Sequence, residues 1–259
     1  MNKAFLKLGN QFGVDPNINP DPVEEARPFF ILQNGVTVRL KGGLPAGTTG
    51  KADGDDSGKT YTAVDQTMWN ALDPATDDYT TICTTLVTDM IGVFENSTFN
   101  QDISHFDTSN ITRIDRLFRN NSDFNQNISF WDMSNCENFS NAFNNTDSFN
   151  QPIGVWNMSS ATNLSGMFNN NAIFNQPLNN WDVSSVINMD SMFRNCIFNQ
   201  DISDWDVANV TNMTGMFLLN TQFNQDLTGW CVTNIPTEPT DFAGATFLPA
   251  NRPIWGSCP

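Results

Sequence analysis

The 259-residue chain is 39% hydrophobic, so it can bury a core, yet only 15% of it is charged and the net charge is −16. That balance argues against a nucleic-acid surface or a basic face for anionic lipid, since both need clustered Lys and Arg. The aromatics are 21 Phe and 7 Trp against 2 Tyr, residues that bury large areas with few polar demands.

Residues 1–28 read as an arm. Asp15-Pro16-Asn17-Ile18-Asn19-Pro20-Asp21-Pro22 is too rich in proline for a helix. Phe5, Leu6, Leu8 and Phe12 give the arm a small apolar face, so it is either a disordered terminus or an anchoring peptide. The first residues lack the apolar run of a secretory leader. The expectation is a trimmed leader or another route outward, such as a virion released by lysis. No stretch is long and apolar enough to span a bilayer, so no membrane insertion is expected.

Residues 29–90 read as a β-rich cap. Phe29-Phe30-Ile31-Leu32 and Val36-Thr37-Val38-Arg39-Leu40 flank Asn34-Gly35, a hairpin signal. A strand is predicted at 60–64, with Asp65 capping a helix over 66–72. Between them, Asp53-Gly54-Asp55-Asp56-Ser57-Gly58 has the opening of a calcium loop, with Asp53, Asp55 and Ser57 as weak ligands. Val64 stands where the bidentate acid belongs, so a plain turn is the simpler reading.

Then a repeat begins. The Phe of a Phe-Asn-Gln motif recurs at 99, 124, 149, 174, 198 and 223, at spacings of 24 or 25 residues. Four residues after each stands Ile or Leu, and seven after each stands an aromatic: Phe106, Trp131, Trp156, Trp181, Trp205 and Trp230. A second Phe closes each unit, at 94, 118, 143, 168, 193 and 217. The first half of a unit is extended in character. The second carries apolar residues at helical spacing, as in Val186, Met189 and Phe193. The predicted fold is an α/β solenoid, a leucine-rich-repeat-like stack of about six 25-residue strand-plus-short-helix turns over residues 91–230. Residues 231–259 form the second cap, because an open stack exposes core at both ends.

The repeated polar residues have structural readings. Asn100, Asn125, Asn150, Asn175, Asn199 and Asn224 are expected to point inward and bond the backbone of adjacent turns. The Trp column is expected to be buried, with a solvent-facing rail for sugar rings as the alternative. Asp107, Asp132, Asp182 and Asp206 are expected to cap the segment that follows, with inter-turn calcium as the alternative. The five cysteines contain no Cys-x-x-Cys. Cys136 sits at a small apolar position, and Cys231 with Cys258 is the candidate disulfide. His105 is the sole histidine, and no nucleophile elbow, phosphate loop or metal-spaced cluster occurs. No catalytic residue and no resident cofactor is therefore expected.

Phe174-Asn175-Gln176-Pro177-Leu178-Asn179-Asn180-Trp181-Asp182-Val183-Ser184, followed by Val186-Ile187-Asn188-Met189-Asp190-Ser191-Met192-Phe193, resembles the BspA-like leucine-rich-repeat surface proteins, in the branch called the Mycoplasma lipoprotein repeat. The resemblance covers about residues 87–230. Residues 58–64, and Trp230-Cys231-Val232 with Trp255-Gly256-Ser257-Cys258-Pro259, resemble the family's ends in Bacteroidetes and Bacteroidetes-phage varieties. The resemblance implies surface display, adhesion and partner binding without catalysis. The expected function is non-enzymatic recognition or display at an extracellular or virion surface. The arm would meet capsid or tail proteins, and the repeats would meet a protein or glycan. A bacterial adhesin and a structural spacer are the alternatives.

Overall fold

The computed structural model describes residues 27–259. The anchor residues Phe5, Leu6, Leu8 and Phe12 lie outside the described residues.

The N-terminal part is built on two three-stranded sheets. β1 (Phe29–Ile31) and β2 (Val38–Leu40) pair antiparallel, Phe29 opposite Leu40. The hairpin turn is pinned by Asn34, whose Oδ1 accepts the amides of Val36 and Thr37, while Gly35 takes the left-handed conformation at φ 74°. After β3 (Thr49–Gly50), β4 (Ala52–Asp53) adds to β1 in parallel. β5 (Tyr61–Asp65) is the centre of the second sheet, between β3 and β6 (Ile82–Leu86). β6 runs parallel to β5, and the crossover carries α1 (Gln66–Trp69), capped by the Asp65 carboxylate on the Met68 amide at 2.9 Å.

From about residue 87 the backbone changes character. Numbering turns by their Phe-Asn-Gln Phe, turn one holds Phe99 and turn six Phe223. In residues 114–121 the amides of Leu117, Arg119 and Asn121 bond three residues back, to Ile114, Arg116 and Phe118. The amides between them, of Ile114, Arg116, Phe118 and Asn120, donate to Asn138, Ser140, Ala142 and Asn144 of the next turn. Alternate donors are thus satisfied locally and laterally, which holds neighbouring turns in register. The pattern recurs from Met90 to Phe217. One parallel bridge per turn accompanies it, running Asp89, Arg113, Asn138, Asn163, Asn188, Asn212.

This corrects the expected unit. Among the described residues of the stack there is no α-helix, and the half read as a strand is irregular. The half read as a helix is the run of turns just described, and it carries the parallel bridges. Left-handed residues explain why. They recur four apart, as Arg116 with Asn120, Gly166 with Asn170 and Ser191 with Asn195. A left-handed residue ends a helix, and Gly and Asn adopt it at least cost.

The core is a set of aromatic columns. Phe94, Phe118, Phe143, Phe168, Phe193 and Phe217 stack at centroid distances of 5.4–5.8 Å. Each also stacks on the Phe-Asn-Gln Phe of its own turn at 3.7–4.1 Å. Both ends close by rotating rings edge-on. Trp69 and Tyr79 meet Phe94 at 86° and 67°, and Phe242 and Phe247 meet Phe217 at 89° and 80°. An edge-on ring offers no parallel face to a further turn. The C-terminal segment lies close on turn six: a Cβ on Gly244 would collide with the Asn220 carbonyl oxygen. Cys231 and Cys258 are joined by a disulfide.

Candidate recognition surface

The residues that define the repeat are largely spent on the scaffold. The Trp column is 1–3% exposed, and the ring pairs Trp131–Trp156, Trp181–Trp205 and Trp205–Trp230 lie within 7° of parallel. Each indole N–H donates to a carbonyl of the preceding turn, Trp131 to Ile103 at 3.1 Å and Trp181 to Ile153 at 3.0 Å. No indole face in this column is free to stack on a sugar. Phe106 begins the column with a smaller ring stacked on Trp131 and no N–H.

The Asn of Phe-Asn-Gln does join turns, but not by pointing inward. Asn125 Oδ1 accepts the Asn150 amide at 3.2 Å, and Gln151 Nε2 donates to both the Oδ1 and the carbonyl oxygen of Asn125 at 2.8 Å. Asn100, Asn150, Asn175 and Asn199 repeat the bond to the next turn, and Asn224 hands it to Leu248 and Asn251. These residues are half-buried or exposed, since both partners lie at the rim of the turn.

A different set fills the interior. Asn121, Asn171 and Asn220 are 0–1% exposed. Asn171 donates to the Phe149 carbonyl at 3.1 Å, while its Oδ1 accepts the amides of Ile173 and Phe174. One side chain therefore satisfies three buried backbone groups. Ser97, Thr146 and Cys196 hold the corresponding places. The sequence reading missed this ladder because its residue type changes from turn to turn.

The acidic column is consumed by tight turns. Asp132, Asp182 and Asp206 each accept the amide two residues on, as does Asn157. Asp107 is 1% exposed and binds Arg39 of β2 in a bidentate pair at 2.8 Å, with Ser109 and Thr85 donating as well. Burial pushes its pKa up, but these hydrogen bonds hold it below the ordinary carboxylate value. His105 beside it is 8% exposed and bonds the Ile82 carbonyl; burial lowers its pKa to about 4. Arg39, Asp107 and His105 thus dock the N-terminal sheets on turn one.

The weak calcium candidates are not gathered. Asp53 pairs with Lys41 at 2.8 Å, and Asp55 accepts the Ser57 amide. Among the described residues no three His, Cys, Asp or Glu side chains stand together as a metal set. Cys136 and Cys196 are buried, and desolvation raises each thiol to about 12, far from a reactive thiolate. No helix among the described residues is long and apolar enough to cross a membrane.

The large apolar side chains that face solvent are aperiodic. Phe130 and Val155 are exposed at a place where other turns carry His, Asn, Asp or Gly, and Ile187 at one where they carry Thr or Glu. Ile173, Ile197 and Leu219 are exposed together along another edge, beside a notch of about 510 Å³ bordered by Asn145, Asn170 and Asn195. An apolar cluster rimmed by amides is the kind of surface that takes a partner.

Comparison with known proteins gives no matching curated protein and no matching solved structure. One family model matches twice, over residues 66–179 and 152–255, spans that begin in the cap and run through every turn of the stack. On that match the chain belongs to the family described as Mycoplasma protein of unknown function, DUF285, a Mycoplasma repeat family.

Proposed function

We propose that the protein is a non-enzymatic recognition or display protein of an extracellular or virion surface, and that its stack is a leucine-rich-repeat-like solenoid. The observation that carries the reading is the division of residues within each turn. Periodic side chains are buried or bonded to the next turn, and exposed apolar side chains stand where the repeat varies. A scaffold that holds its shape with shared residues leaves the unshared ones free to vary with the partner. The affiliation with BspA-like surface proteins of the Bacteroidetes or Bacteroidetes-phage variety belongs to the same proposal.

In the preferred version the protein decorates a virion or attaches it to its host, with the arm docked on capsid or tail proteins. A bacterial adhesin for glycan or protein and a passive spacer are the competing versions. Removing residues 1–28 from the full chain tests the first. Incorporation into particles should be lost while the stack stays folded, the midpoint falling only by the loss of the Arg27 bond to the Ala52 carbonyl and of the Pro28 carbonyl that accepts the Lys41 amide; retained incorporation refutes the anchor. Binding of the intact chain to host cells then separates attachment from a spacer, which would bind nothing.

A further inference from the structure

The notch on the fifth turn has a sequence origin. In turns two, three, four and six the second stacked Phe follows the first by six residues, as from Phe168 to Phe174. In turns one and five it follows by five, from Phe94 to Phe99 and from Phe193 to Phe198. The longer version makes a two-residue bend, at 122–123, 172–173 and 221–222. The interior residue changes with it. Long turns use Asn or Thr, and the short turns use Ser97 and Cys196, which span less. With its bend shortened, turn five leaves the notch of about 510 Å³ between its neighbours. Turn one, equally short, also borders an opening, of about 590 Å³.

The notch on turn five has unspent hydrogen-bonding capacity. Exposed Asn side chains along this edge bond one another across turns: Asn120 donates to Asn96, Asn145 to Asn120, and Asn195 to Asn170. No such bond joins Asn145 to Asn170, and Leu219 ends the column beyond Asn195. Among the described residues, Asn145 Oδ1, Asn195 Oδ1 and the Asp147 carboxylate therefore have no protein donor, and Asn170 Nδ2 has no protein acceptor. Acceptors outnumber donors, and no Lys or Arg lines the notch. Ile197 and Leu219, 38% and 57% exposed, add an apolar surface.

We infer that this notch binds a neutral carbohydrate. Hydroxyl groups take the place of water as donors to amide and carboxylate oxygens that no protein group bonds, C–H faces pack on Ile197 and Leu219, and the absence of cations disfavours sulfated, phosphorylated or uronic chains. The inference rests on the recognition reading above and places its ligand on turn five.

The test restores the longer turn. Cys196→Asn with a serine inserted before Ile197 reproduces the spacing of turn four and fills the notch with a bend that four other turns accommodate. The intact chain and this variant are titrated with neutral oligosaccharides from dextran, mannan, cellulose and chitin, with heparin and polylysine as charged probes. The intact chain should bind at least one neutral oligosaccharide, and the insertion should weaken it at least tenfold without moving the unfolding midpoint. Should the insertion misfold, Asp147→Asn and Leu219→Asn, both at exposed positions, are each expected to weaken binding severalfold in a folded protein. Binding of no neutral oligosaccharide overturns the inference, as does preference for a charged probe or for a peptide, or binding that survives all three changes. Attachment of the intact chain to its native host surface is read in parallel. If attachment persists without carbohydrate binding, the notch assignment falls and the recognition reading stands; if attachment is also absent, both fall.

Discussion

The N-terminal sheets and the stack solve the same problem in opposite ways. Within residues 29–86, Phe29, Val38, Leu40, Ala52, Tyr61, Ala63 and Cys83 make a small core held by strand pairing, while Trp69 and Tyr79 join the core of the stack and the part-exposed Arg39 pairs with buried Asp107. The stack runs a single core from cap to cap, and each turn contributes the same few bonds again. A region built of unique contacts should fail at particular residues. One built of equivalent contacts should fail by similar amounts wherever it is cut.

The comparison breaks most visibly in the aromatic columns. Phe168→Ala in mid-stack should cost about 3–5 kcal/mol in denaturant unfolding, as for other buried Phe truncations, and Phe143→Ala about the same. A clear difference between them would show that the turns are not equivalent. The disulfide, which encloses 27 residues of sequence separation, is next. Replacing Cys231 and Cys258 by Ser should cost about 3 kcal/mol on loop-entropy grounds, with the loss concentrated at the C-terminal end.

The two Asn ladders sharpen the contrast between interior and rim. Asn171→Ala orphans the Phe149 carbonyl and the amides of Ile173 and Phe174 inside the core, so about 2–3 kcal/mol should be lost. Asn150→Ala frees groups that water can reach and should cost about 1 kcal/mol or less. Equal losses would put the two ladders in the same environment and contradict the burial difference.

The docking of the N-terminal sheets gives the smaller, condition-dependent effects. Arg39→Ala leaves Asp107 buried without its cation, but Arg39 is itself one-third exposed and Asp107 keeps Thr85 and Ser109, so about 1–2 kcal/mol is expected. Acid should act at the same place. His105 is lowered from 6.5 to about 4 by burial, so between those values the open state binds the extra proton and stability falls as pH falls. Asp107, depressed in the folded state, extends the loss below the ordinary carboxylate range. Hydrogen exchange against pH should show the sheets loosening before the stack. His105→Gln should remove the upper part of that window.

The repeat phasing, the Asn34-Gly35 hairpin, the Asp65 cap and the pairing of Cys231 with Cys258 could be read from residue type and spacing alone. The conformation inside each turn could not. Val186, Met189 and Phe193 face inward both in a helix and in a run of overlapping turns, so spacing alone does not separate them. The separating signal was the left-handed pair four residues apart, Gly or Asn in many turns but Arg116 or Ser191 in others. The buried Asn ladder hid for a similar reason: Thr146 and Cys196 interrupt it. The notch was visible only as a spacing of 24 among spacings of 25, and that single missing residue needed neighbouring bends around it to become a cavity.

On the proposed function, shared residues build the protein and unshared exposed ones meet its partner. The most direct test replaces Phe130, Val155, Ile187 and Leu219 together by Ser. Attachment of this variant to the native host surface is then compared with that of the unaltered chain, alongside the unfolding midpoint. Attachment should be lost and the midpoint should move little, because all four side chains are already substantially exposed. Full attachment by the variant, with the midpoint unchanged, would contradict the proposal.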